Sequence, residues 1–320
     1  MEAEDVRCHI GVSVGFALFP DHAATPEELL AAADLALYAA KRERGGVRAF
    51  DCSLRADAER RRRIEGELRE HLAAGALEVH YQPLVELAGG RVSGVEALVR
   101  WPAGAEDRIP PDVFVAIAEE CGLAPRITRL VLERAARDLP GIEAVVGRGL
   151  RLAVNLAPEE LAEEGAARRL AGLIDELGLD PARLEFEITE RTLLADAEVV
   201  GRNLRELAAR GVRFAVDDFG TGYSSLVYLK RVPVSRLKLD RTFVAGLPED
   251  GEDRAIVRAV ASLAAALDLE LLAEGVETEA QRRFLLGVGC REAQGWLFGR
   301  PMPAETLRSW LAAREAAMVP

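Results

Sequence analysis

Five carboxylates, one amide and one ammonium stand where apolar runs would not ordinarily carry them. Glu96 sits inside "GVEALVRW", Asn155 closes "LRLAVN", Glu187 follows "RLEF", Asp217 and Asp218 close "VRFAVDD", Glu274 closes "LELLAE", and Lys238 lies within "SRLKLD". Taken singly, each is a charged residue where a strand meets water. Brought together they form an acidic centre, and carboxylates buried without positive partners are costly. The four cysteines (8, 52, 121, 290) form no CxxC pair, and the four histidines (9, 22, 71, 80) all fall in the first quarter of the chain. Zinc of the Cys/His kind is therefore a poor match. A set of oxygen donors suits magnesium, manganese or calcium. These side chains offer more oxygens than one ion needs, so two ions are expected, with Asp217 placed to bridge them. Lysine is rare here, only Lys41, Lys230 and Lys238 among 41 basic residues. A lysine kept in an apolar strand reads as a point charge for a water or a phosphate oxygen.

Such residues need a scaffold that makes distant strand ends converge. From Leu77 onward, short apolar runs alternate with amphipathic stretches at the spacing of βα units. The runs are "LEVHYQPLVEL", "VSGVEALVRW", "LRLAVNLA", "RLEFEIT", "VRFAVDD", "SRLKLD", "LELLAEG" and a weaker one before "QGWLFGRP". Eight candidate strands predict a (β/α)8 TIM-like barrel, with an open doubly wound sheet as the alternative. Parallel barrel strands are buried on both faces and turn polar at the C-terminal mouth, where these residues fall. Neighbouring strand residues point to opposite faces, so Asp217 and Asp218 reach one site only if the strand breaks between or just after them. Gly220 and Gly222 supply freedom for that break. Glu185 shares the parity of Glu187 but lies deeper, and nothing in the sequence accounts for it.

Residues 10–19 read as a strand and "TPEELLAAADLALYAAKRERGG" as a capped helix. The strand contains Gly11-Val-Ser13-Val-Gly15, a GxSxG match. A nucleophile elbow needs a helix directly after the serine, and here the strand continues. Residues 53–74 read as a charged connecting helix, and acids flanking Arg60 to Arg63 make that run a solvated face. The net charge of -12 argues against a broad grip on duplex nucleic acid. No apolar run approaches the roughly 20 residues of a membrane span, and the acidic N-terminus is no secretory signal. The expected location is cytoplasmic.

"YQPL" (81–84), "EALVRW" (96–101), "NLAP" (155–158), "EITE" (187–190), "DDFGTGYSSL" (217–226), "KLD" (238–240), "AEGVET" (273–278) and "QGWLFGRP" (294–301) together resemble the EAL family of cyclic di-GMP phosphodiesterases. The resemblance runs from about residue 76 to near the end of the chain. It implies a barrel whose first strand is antiparallel, a homodimer formed through the barrel, and hydrolysis of cyclic di-GMP to linear pGpG with two Mg2+ or Mn2+ ions. It also implies Glu96, Asn155, Glu187 and Asp217 as ligands of one ion, with Asp217, Asp218 and Glu274 serving the other. Lys238 would orient the attacking water, with Gln294 fixing that region. Glu190 would hold the 218–226 loop, and Gln82 and Arg100 would touch substrate, Arg100 through a phosphate. Ala157 stands where the family often has serine. Residues 1–50 resemble the closing part of a GGDEF diguanylate cyclase domain without its signature or metal site, which excludes cyclase activity in this chain. The implied organisation is a GGDEF-like fragment (1–50), a helical linker (51–75) and an EAL barrel (76–320). Two other functions fit parts of the pattern: a non-catalytic cyclic di-GMP receptor, and an unrelated carboxylate-metal barrel acting on a small acid.

Overall fold

The computed structural model describes residues 2–3, 6–7, 11–42, 45–104, 108–194, 197–220, 229 and 231–318. The chain divides into two compact units, Met1–Glu70 and His71–Pro320.

In the first unit, strands β1 (Ser13–Phe16) and β2 (Gly46–Ala49) pair in parallel, joined by helix α1 (Pro26–Arg42). Acids in the first turn of α1 and bases in its last complement the helix dipole. In the GxSxG match Ser13–Gly15 belong to a strand that runs on to Phe16, with no helix after the serine. Its second glycine serves packing, since a Cβ at Gly15 would lie 1.9 Å from the Leu37 backbone nitrogen of α1. Val12, Val14, Phe16, Leu18 and Val47 are exposed. The charged helix α2 (Cys52–Ala74) follows.

The second unit is built on strands β3 (Glu78–Glu86), β4 (Val92–Arg100), β5 (Arg151–Asn155), β6 (Leu184–Thr189), β7 (Arg213–Phe219), β8 (Arg236–Leu239), β9 (Glu270–Ala273) and β10 (Glu292–Ala293). From β4 to β10 each strand pairs in parallel with the next. Strand β3 runs antiparallel to both β4 and β10 and closes the barrel. A short β11 (Met302–Pro303) pairs with the start of β3. The (β/α)8 architecture is thus realised with an antiparallel first strand. Helices α3 (Pro111–Glu120) and α4 (Ala124–Val146) follow β4. Next come α5 (Pro158–Ala162), α6 (Ala166–Leu177), α7 (Glu190–Leu194) and α8 (Ala197–Ala208), then α9 (Arg241–Ala245), α10 (Gly251–Ala266), α11 (Glu279–Gly287) and α12 (Ala304–Met318).

Strand parity stacks the interior in three layers. The middle one is apolar, with Leu84, Ala153 and Leu272 forming one buried cluster. Above it come Gln82, Glu96, Asn155, Glu187, Asp217, Lys238, Glu274 and Gln294. Below it the strand starts bring together Arg151, Arg213 and Arg236 with Glu185, Glu270 and Glu292. Arg236, fully buried, reaches Glu292 at 2.7 Å and Glu185 at 3.4 Å; Arg213 meets Glu270 at 2.8 Å, and Arg151 meets Glu292 at 2.9 Å. Glu185 therefore has a physical reason: it is the deepest acid of a layer holding three arginines and three glutamates.

That layer has a pH signature. Burial pushes the Glu270 carboxyl upward, but bonds from Arg213 and Arg236 win and hold it at about 2. A carboxyl held below its unfolded value contributes stability above that value and loses it as pH falls through its folded value. Wild type should thus lose more stability than Glu270→Gln as pH falls from about 5 toward 2. Urea midpoints at several acid pH values check this; parallel slopes for the two proteins would contradict it.

Candidate active site

The upper layer opens at the C-terminal mouth, and Lys238 is its hub. Its buried Nζ lies 2.6 Å from Glu187 Oε2, 2.7 Å from Glu274 Oε1, 3.0 Å from Asp217 Oδ1 and 3.9 Å from Glu96 Oε1. Gln294 donates from Nε2 to both Glu96 (2.8 Å) and Glu274 (3.0 Å), and Asn155 donates from Nδ2 to Glu96 at 2.8 Å. Seven strands or strand ends thus meet within hydrogen-bonding reach of one another.

The Asp217–Asp218 pair shows how two adjacent acids serve one site. Against β8 the register of β7 slips by one residue, with Leu237 facing Val216 and Leu239 facing Phe219. The extra residue makes a bulge, and Asp218 takes the left-handed conformation with φ 52°. The break falls at Asp218 itself, and the strand resumes through Phe219. Ligand oxygens of Asp217, Asp218 and Glu274 come within 4.8 Å of one another. Gly220, at φ 100°, donates its N–H to Glu190 Oε1 at 2.8 Å. Gly222 and the rest of the 221–226 segment lie outside the described residues.

Charge in this layer is unbalanced. Five carboxylates (Glu96, Glu187, Asp217, Asp218, Glu274) face one ammonium, a deficit of four, the charge of two divalent cations. Protons offset part of that deficit. Burial, then repulsion from Glu96, pushes Glu187 well above the carboxylate range, while Glu96, buried too, is held low by Lys238 and its hydrogen bonds. Burial, with Asp217 and Glu96 adding to it, carries Glu274 to about 8 against the pull of Lys238. Burial and the charges of Asp217 and Asp240 carry Asp218 to about 6. Among the described residues the metal-binding atoms offered here are hard carboxylate and amide oxygens, and the proton load is what divalent cations would displace, so the residues fit such ions. Since cations compete with those protons, Mg2+ affinity should rise with pH between about 6 and 8, with net proton release on binding. Calorimetry in buffers of different ionisation enthalpy checks this; binding that releases no protons at pH 7 would contradict it.

A cleft of about 380 Å³ extends from the acids past Arg100, Val115, Glu119 and Ile127. The Arg100 guanidinium is half-buried and meets no acid within 4 Å among the described residues; its bond at 2.8 Å goes to the neighbouring Val99 carbonyl. Burial lowers its pKa, opposed by Glu96. Gln82, on β3, donates to the Gly299 carbonyl at 3.1 Å. Asp240 was missed in the sequence reading. It caps α9, accepting from the Thr242 N–H at 2.9 Å, and its carboxyl bonds to Asp218. The signal was present in "KLDRT", an aspartate two residues ahead of a helix's second position.

A closed barrel with an acidic centre at its C-terminal mouth is the arrangement of a barrel enzyme. The chain belongs to the EAL domain family, whose profile matches residues 65–301. It is 42% identical over 308 residues to the bifunctional diguanylate cyclase/cyclic di-GMP phosphodiesterase MucR of Pseudomonas aeruginosa, covering 95% of this chain and 44% of MucR. It is 38% identical over 302 residues to the cyclic di-GMP phosphodiesterase NbdA of the same organism, covering 94% of this chain and 39% of NbdA. The chain thus spans about two-fifths of these relatives. The structure of the PaMucR phosphodiesterase in complex with c-di-GMP superposes with a TM-score of 0.71 at 43% identity, over 77% of this chain and 99% of that one. No helix among the described residues is long and apolar enough to cross a membrane.

Proposed function

We propose that the barrel hydrolyses cyclic di-GMP to linear pGpG with two divalent cations, Mg2+ or Mn2+. The observation that carries this reading is the gathering of five carboxylates, Asn155 and Gln294 around Lys238, beside a half-buried arginine that meets no acid among the described residues. Glu96, Asn155, Glu187 and Asp217 would hold one cation, and Asp217, Asp218 and Glu274 the other. When bound, the ions would lower the pKa of a water and draw charge from the phosphodiester. The chain's own residues do the rest. Arg100 takes a non-bridging phosphate oxygen. Lys238, pinned by three carboxylates, fixes the attacking water, and Gln294 keeps Glu96 and Glu274 in register. Glu190 secures the turn after Asp218 through Gly220, and Gln82 meets substrate from β3. Water adds across one P–O3′ bond: its oxygen joins phosphorus, and the leaving 3′ oxygen gains a proton.

Purified protein given cyclic di-GMP should form pGpG with Mg2+ or Mn2+ and little with Ca2+, whose longer, looser bonds position water poorly. Tight binding without product under Mg2+ would instead mean a receptor.

We further read residues 1–50 as the C-terminal fragment of a GGDEF-like domain, 51–75 as a linker and 76–320 as the catalytic barrel, with dimerisation through the barrel. Three things support the fragment. Strands β1 and β2 with α1 form a partial α/β layer. An apolar sheet face is left open by Val12, Val14, Phe16 and Val47. The similarity to bifunctional MucR covers 95% of the chain.

A further inference from the structure

Lys238 and Glu274 stand on neighbouring strands, and the chain leaves those strands as two separate segments that must keep the pair together. Beyond Lys238 it turns at Asp240 into α9; beyond Glu274 it turns at Gly275, φ 66°, and runs through Val276 and Glu277 to Thr278, the cap of α11. The segments approach closely near the barrel. The Glu274 N–H donates to the Leu239 carbonyl at 3.0 Å, and a Cβ on Gly275 would lie 2.5 Å from the Arg241 Cβ. Farther out the side chain of Gln281, almost fully buried in the first turn of α11, joins them with both halves of its amide. Its Oε1 accepts from the N–H groups of Glu277 at 2.8 Å and Thr278 at 2.9 Å; its Nε2 donates to the Val244 carbonyl of α9 at 3.0 Å. The first half, with Thr278 Oγ1 accepting from the Gln281 N–H at 3.2 Å, is a capping box. The second half has no part in capping. Glutamate completes such a box as well as glutamine does, but an ionised carboxylate has no proton to give Val244.

We propose that Gln281 is a positioning residue for the second cation, a proposal that rests on the reading of Glu274 as one of its ligands. By tying the segment after Glu274 to the helix after Lys238, the amide fixes how far the Glu274 carboxylate stands from the Lys238 ammonium, 2.7 Å here, and from Asp217 and Asp218. The other proposed ligand set, Glu96, Asn155 and Glu187 with Asp217, lies on strands that Gln281 does not touch. Loss of the tie therefore acts on one ion and spares the other, which a general loosening of the barrel does not do.

Calorimetric titration of the full chain with Mn2+, alongside hydrolysis of cyclic di-GMP, tests this. Gln281→Glu keeps the cap and loses the donor. It should bind the first ion within about twofold of wild type and the second roughly tenfold more weakly or worse. At subsaturating Mn2+ its kcat should fall by about the same factor, with KM for the dinucleotide within about threefold, and excess Mn2+ should restore most of the rate. A carboxyl packed against a carbonyl is favoured in its protonated form, and that form can donate to Val244. The variant's affinity for the second ion, relative to wild type, should therefore rise as pH falls from about 8 to about 6. Gln281→Met, with nothing to protonate, should show the same selective loss at a constant ratio over that range. Thr278→Ala, which weakens the cap alone, should lower the melting temperature and leave both ions within about twofold of wild type. Undiminished affinity for the second ion in Gln281→Glu, equal weakening of both ions, or a Thr278→Ala protein that loses the second ion as Gln281→Glu does would overturn the tie while leaving the two-ion site standing. A wild type that binds fewer than two Mn2+, or a Glu274→Gln protein that keeps the second ion, removes the reading beneath it.

Discussion

Glu96→Ala should lower kcat/KM for cyclic di-GMP by at least about 10³-fold while leaving the barrel folded. Glu96 is almost fully buried, and each of its oxygens is used: Oε1 accepts from Asn155 and Oε2 from Gln294. Removing it deletes a proposed ligand and also unties two neighbours, one of which anchors Glu274. Glu187, pushed up by the adjacent Glu96, should ionise more readily in the variant. The variant also loses the hydrogen bond that Glu96 shares with Glu187, so the site loses its shape. Hydrolysis assays alongside circular dichroism and Mn2+ stoichiometry check this. Near-normal turnover by a folded Glu96→Ala protein would remove Glu96 from the site.

The largest effect on stability should come from the opposite end of the same barrel. Arg236→Met removes the cation around which the lower layer is organised and leaves Glu185 buried with Arg213 at 3.7 Å and Arg151 at 4.0 Å as its remaining partners. Neither oxygen of Glu185 accepts a hydrogen bond among the described residues, so its charge is held by proximity to cations. In the wild type, the acids around Arg236 outweigh its burial and keep the guanidinium firmly charged. Breaking a buried pair on one side strands the other charge, at a cost of about 3–5 kcal/mol. Replacing both partners with apolar groups, Arg236→Met with Glu185→Leu, should recover a good part of that loss, since the desolvated charges go together. Urea unfolding of the three proteins decides. Equal destabilisation by the single and double variants would show that the ion cluster is not what holds this layer.

These two expectations mark what the sequence made visible. Glu96, Asn155, Glu187, Asp217, Lys238 and Glu274 were legible because a barrel strand is apolar on both faces, so one polar residue inside it stands out. The antiparallel first strand was legible only through family resemblance: hydrophobic alternation is the same in either direction. The lower layer went unread because Arg151, Arg213, Glu270 and Glu292 each begin a strand, where a charge is ordinary; only ring closure brings the six together. Glu185 was noticed for its parity and could not be explained without that closure. The bulge at Asp217–Asp218 was half legible. The need for a break followed from strand geometry, but its place, on Asp218 with the strand resuming at Phe219, depends on pairing with β8.

The account depends on cations entering the deficit of four charges at the mouth. Anomalous diffraction from crystals soaked with Mn2+ and cyclic di-GMP measures this directly. Two manganese peaks should appear, both within bonding distance of Asp217, one shared with Glu96, Asn155 and Glu187 and the other with Asp218 and Glu274. Crystals with the dinucleotide bound and no manganese among these carboxylates would contradict it.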